Sequence, residues 1–96
     1  MKPVPMLPDE IINVKRAAYH ARVSTKTIRR WCRRHGIGRQ SAAGAPLQIS
    51  IIALEMVAEG DHQALEMLRA GNRENPIVAS FLDRFKPSAA PLFVGL

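Results

Sequence analysis

The sequence predicts a mainly α domain carrying one small β-hairpin, in the order helix, tight turn, helix, hairpin, helix, with two further helices behind. Three observations lead there: polar capping residues precede the apolar-periodic segments, glycines close most of them, and "IGRQ" and "PLQIS" flank the small-residue turn "SAAGA".

The first ten residues, "MKPVPMLPDE", hold three prolines and no helical period, which predicts an extended, loosely held segment. Asn13 caps a first helix over about 14–21, where Val14, Ala17, Ala18 and Ala21 form a small-residue face that lets another helix come close. Val23 closes a tight turn, and Ser24 caps a second helix running to about His35. On that helix Ile28, Trp31, Cys32 and His35 repeat at three- and four-residue intervals and form the buried stripe. Gly36 ends it, because glycine takes the left-handed conformation at little cost. The hairpin follows, with Pro46 where no ladder hydrogen bond is needed.

Ser50 caps a third helix, about 51–59, that offers Ile52, Leu54, Met56 and Val57 to the core; Gly60 stops it. Asp61 caps a fourth, "HQALEMLRA", with Leu65 and Leu68 inward and Gly71 as its stop. Asn75 and Pro76 open a fifth, on which Ile77, Phe81 and Phe85 form one apolar line widened by Val78 and Leu82. Pro87 and Pro91 end the regular structure, and the tail "PLFVGL" either docks on the domain or is offered to a partner. The expected organisation is thus one domain: a flexible segment 1–10, a helix-hairpin unit 11–59, a helical extension 60–86 and an apolar tail 87–96. The order within 11–59 is that of a helix-turn-helix with a β-wing, a layout that sets the second helix into a major groove and the hairpin beside the backbone.

Charge is divided along the chain. The formal net charge is +6, and from Ile11 through Leu54 there are nine Lys or Arg and no acid, whereas Glu55 through Lys86 carry six acids and four bases. Such asymmetry is expected when one face meets nucleic-acid phosphates. No apolar stretch is long enough for a membrane span, and no membrane partner is expected. The N-terminus lacks the apolar region of a signal peptide, so the expected compartment is the cytoplasm. Cys32 is the one cysteine, which excludes an internal disulfide and a cysteine-rich zinc site. His20 and His35 stand apart from any ligand-spaced set, so neither metal nor cofactor is expected. No nucleophile with a positioned base and no phosphate-cradling glycine loop emerges, and catalysis is not expected.

From "NVKRAAYHARVSTKTIRRW" onward the chain resembles the winged helix-turn-helix of the MerR-like and excisionase families, through Asn13, Ala17, Ala18, Val23, Ser24, Thr27, Ile28 and Trp31. Two positions depart from the family pattern: Arg22 stands where the turn commonly has glycine, and Lys15 and Arg16 where an early acid is common. The resemblance implies an architectural protein of excisive site-specific recombination, a recombination directionality factor of an integrative mobile element in a bacterium, nucleoid-associated when bound to DNA. Copies would occupy repeated sites on double-stranded DNA, associate head to tail, and assist an integrase. Other roles left open are a small winged-helix transcriptional regulator, a phage DNA-packaging recognition protein, and an RNA- or protein-interaction module.

Recognition divides into base and phosphate contacts. Thr25, Lys26, Arg29 and Arg30 are the candidates for base edges, since Arg and Lys reach guanine acceptors and a Thr methyl packs on thymine. Lys15, Arg16, Arg22, Ser24, Thr27, Arg33 and Arg34 are phosphate candidates. Arg39, Gln40 and Ser41 are wing candidates, with Arg39 suited to a narrow minor groove. Phe81, Phe85, Leu92, Phe93 and Leu96 either pack internally or touch a neighbouring copy or the integrase.

Overall fold

The computed structural model describes residues 2–85. The protein is a small, mainly α domain with a minor three-stranded antiparallel sheet. In chain order a single 3-10 turn, Pro8–Glu10, leads into β1 (Ile11–Ile12), α1 (Val14–Ala21), α2 (Thr25–His35), β2 (Gly38–Arg39), β3 (Gln48–Ser50), α3 (Ile51–Glu59), α4 (His62–Arg69) and α5 (Pro76–Asp83).

The caps form as the sequence dictates. Side-chain oxygens of Asn13, Ser24, Ser50, Asp61 and Asn75 accept the backbone N–H of Arg16, Thr27, Ala53, Ala64 and Ile77, each satisfying a donor that the first helical turn leaves unpaired. Gly36 closes α2 at φ 63°, and its N–H donates to the Cys32 carbonyl.

α3 is the centre of the domain. Ile52, Ala53, Leu54, Met56 and Val57 are buried on it, and α1, α4 and α5 all pack against it. Ala17 and Ala18 bring α1 close; Leu65 and Leu68 supply α4, as their spacing predicts. On α5 the inward pair is Val78 and Phe81, with Leu82 and Phe85 half-buried. Ile77 is 45% exposed, which corrects the expected Ile77–Phe81–Phe85 line. The helix ends at Asp83, so the four-residue step toward Phe85 leaves it, and the three-residue step from Val78 to Phe81 sets the inner face.

β3 is the middle strand. Ile12 and Gly38 both lie opposite Ile49, Ile11 opposite Ser50, and Arg39 opposite Gln48. The third strand, β1, was not expected from the sequence. The loosely held N-terminal segment is likewise corrected: Val4 and Met6 are in the core, and the Val4 N–H donates to the Gly36 carbonyl at 3.0 Å. Glu10 fixes the segment from its other end through a bidentate pair with Arg73, Nη1 to Oε2 at 2.8 Å and Nη2 to Oε1 at 2.9 Å. Burial pushes the Glu10 carboxyl up, but the Arg73 hydrogen bonds and the Leu7 N–H outweigh it and hold it below its ordinary value.

Val4→Ala is therefore expected to lower unfolding free energy by about 1–2 kcal/mol, read from the urea midpoint; a loosely held residue would change it by under about 0.5 kcal/mol.

Candidate nucleic-acid interface

A groove of about 940 Å³ runs between the start of α1, one flank of α2 and the β2–β3 hairpin. Sequence spacing explains the α2 wall. Thr25, Arg29 and Arg33 follow one another at four-residue steps beside Cys32, so they share the flank that faces the hairpin. Lys15 reaches the groove from α1, and Arg39 and Gln40 from β2 and the residue after it. Its floor is mainly apolar, with Val14, Cys32, Pro46 and Leu47.

The groove depends on how closely β2 approaches α2. A Cβ built on Gly38 would sit 2.7 Å from Cys32 Sγ, inside contact distance, so glycine is what lets the strand press on the helix there. Burial pushes the Cys32 thiol up to about 11, against the pull of Arg33 and Arg29, and it remains protonated at neutral pH. It acts as a packing group.

Thr25, Lys26, Arg29 and Arg30 are all exposed, as are Lys15, Arg16, Arg22, Arg33, Arg34, Arg39, Gln40 and Ser41. Lys26, Arg30 and Arg34 lie outside the groove lining, on the outer side of α2. Some candidates have duties inside the fold. Ser24 Oγ accepts the Thr27 N–H at 3.1 Å and meets Thr27 Oγ1 at 3.0 Å, so both hydroxyls serve the helix start. Gln40 donates to the Ala45 carbonyl at 2.8 Å and ties the hairpin loop. Arg39 Nε donates to Gln48 Oε1 at 3.0 Å, across the β2–β3 pair, which braces the guanidinium.

None of the nine cations between Ile11 and Leu54 has an ion-pair partner among the described residues. The ion pairs lie elsewhere, as His20–Glu55, Glu66–Arg69, Glu10–Arg73 and Arg84 with Glu55 and Glu59. The basic surface is left unneutralised among the described residues, whereas Arg69, Arg73 and Arg84 each have a carboxylate partner. Among the described residues no three His, Cys, Asp or Glu are grouped to hold a metal, and no helix is long and apolar enough to cross a membrane.

Trp31 packs against the core half-buried, a role its helical spacing predicts. Phe81 is 3% exposed and packs internally, which removes it from the candidate partner contacts. Phe85 is half-buried, with its ring 5.8 Å from that of His20. Leu92, Phe93 and Leu96 lie outside the described residues.

Two residues that sequence reading did not single out hold the far end of α2. Arg69 Nη2 donates to the His35 carbonyl at 2.6 Å, and its Nη1 donates to the Lys2 carbonyl. His62 stacks on His35 with ring centres 5.5 Å apart. Burial first, then the charges of His62, Arg34 and Arg69, hold the His35 imidazole below its ordinary value. The unfolded chain therefore takes up this proton first as pH falls through 6.5, and stability declines there. The urea midpoint is expected to be lower at pH 5.5 than at pH 7.5, by an amount that shrinks in His35→Gln.

No family model matches the chain, and comparison with curated proteins and with solved structures gives no match.

Proposed function

We propose that the protein binds double-stranded DNA as a winged helix-turn-helix, with α2 in the major groove and the β2–β3 hairpin as the wing along the backbone, and that it acts as an excisionase. The observation that carries this reading is the convergence of Lys15, Arg29, Arg33 and Arg39, from three separate elements, on one groove with no internal carboxylate among the described residues to neutralise them. A duplex meeting this surface would release counterions at each phosphate contact, which makes affinity large and strongly salt-dependent. On this reading Arg29 and Thr25, which line the groove, would read base edges, Arg33 and Lys15 would meet phosphates, and Arg39, braced by Gln48, would lie beside the minor groove.

The excisionase role rests on the resemblance in residues 11–59. Support for it comes from Ala17, Ala18 and Ile28, which are buried at the helix contacts, and from the Asn13 and Ser24 caps. Binding energy alone would do the work. Copies on repeated sites would bend the duplex, at a cost of about 1–6 kcal/mol per short site, offset by contacts between neighbours and with an integrase.

The test is DNase footprinting over the element's attachment sites and the protein's own promoter, as a concentration series at near-physiological salt. Repeated, cooperative protection beside the recombination core is the expected result. Protection of promoter DNA alone would assign a transcriptional regulator, and absence of sequence-specific protection would overturn duplex recognition.

A further inference from the structure

We infer that Tyr19 is part of the DNA-contacting surface, donating its phenolic O–H to a phosphodiester oxygen on an edge of α1 that it shares with Lys15, with Arg22 at the C-cap of the same helix; this rests on the duplex-DNA reading above. Tyr19 is 87% exposed, far more than the other exposed large apolar side chains, Leu7 and Ile77. It follows Lys15, a groove residue, by one helical turn, so the two stand on the same edge of α1. His20 belongs to the other edge, where it meets Glu55 at 3.1 Å and Phe85. α1 thus turns His20 toward Glu55 and Phe85, and carries the unpaired Lys15 and the phenol together on another edge.

Arg22 supplies an independent observation. It is the C-cap of α1 at φ 59° and ψ 43°, and among the described residues it is the one non-glycine residue with positive φ. An L side chain there crowds the backbone, which glycine would avoid. Its guanidinium has no hydrogen-bond or ion-pair partner among the described residues that would offset this strain. Strain retained for a side chain with no duty inside the fold points to a ligand outside it. Unpaired cations flanking a hydroxyl donor suit a phosphate, and Tyr is among the side chains that donate to DNA phosphates.

The experiment measures affinity for one footprint-selected duplex by fluorescence anisotropy at several salt concentrations, for the full chain and for Tyr19→Phe, Lys15→Ala and Arg22→Gly. A phenol is neutral and releases no counterion, so Tyr19→Phe is expected to weaken binding about 3- to 10-fold at every salt, with the slope of log K against log salt unchanged. Lys15→Ala and Arg22→Gly should each flatten that slope by about 0.9. The thermal midpoint of Tyr19→Phe should equal that of the parent, since the hydroxyl has no partner among the described residues. Equal affinity of Tyr19→Phe and the parent, with Lys15→Ala weakened, would overturn the inference and leave the DNA reading standing. Failure of the parent to bind any duplex would overturn both.

Discussion

Replacing Arg29 and Arg33 together by alanine is expected to lower duplex affinity about 100- to 1,000-fold near physiological salt while leaving the fold intact. On the duplex-DNA proposal Arg33 would contribute through counterion release, so its loss should flatten the log–log salt slope by about 0.9. Arg29, one turn earlier on the same groove wall, would on that proposal pair bidentately with guanine, a contact worth about 1–3 kcal/mol of discrimination. Arg29→Ala alone should therefore relax sequence preference, and Arg33→Ala alone should weaken binding to all sequences alike. Stability should hold or rise slightly, because like charges four apart repel by about 0.2–0.5 kcal/mol per pair in an exposed helix. Arg84→Ala is the matched control: it removes a cation held by Glu55 and Glu59, outside the basic groove, and should leave DNA affinity unchanged. If the basic face were only solvated surface, the double variant would bind as the parent does.

What sequence reading recovers here is local chemistry. Asn13, Ser24, Ser50, Asp61 and Asn75 mark their helix starts because a cap is a bond between a side chain and a backbone two or three residues on. The cations of α2 are equally visible, since a helix that must bury Ile28 has little choice about where Arg29 and Arg33 go. The features missed join distant segments. β1 is only two residues long and has no period of its own; what makes it a strand is β3, nearly forty residues later. Prolines hide the burial of Val4 and Met6, whose partners are the end of α2 and the core. The Glu10–Arg73 pair spans 63 residues. The same limit applies at the groove. Each of Lys15, Arg33 and Arg39 can be picked out as a candidate, but their meeting around one concavity depends on how β2 packs on α2 at Gly38 and Cys32.

Ile28→Ala should cost about 3–4 kcal/mol of unfolding free energy, within the range for truncating a wholly buried aliphatic side chain. A domain of this size has only about 5–10 kcal/mol in total, so the variant would be folded but marginal, with a urea midpoint near half that of the parent. The size of the effect follows from the composition of α2. Ile28 is its one buried side chain, and Trp31, Cys32 and His35 pack only half-buried beside it, while Lys26, Arg29, Arg30, Arg33 and Arg34 are exposed. Ile28 is thus the one wholly buried apolar anchor of the basic helix, with Trp31 and Cys32 packed beside it. Ile28→Val removes a single methylene and should cost about 0.5–1.5 kcal/mol, so the pair calibrates the site. DNA affinity separates the two classes of variant. For Ile28→Ala the loss should match the fraction of unfolded chain and recover when stability is restored by cooling toward the temperature of maximum stability. For the Arg29 and Arg33 pair it should persist in a fully folded protein. A cost below about 1 kcal/mol for Ile28→Ala would mean that α2 is held chiefly by Arg69 on the His35 carbonyl and the His35–His62 stack, and Arg69→Ala would then be the larger perturbation.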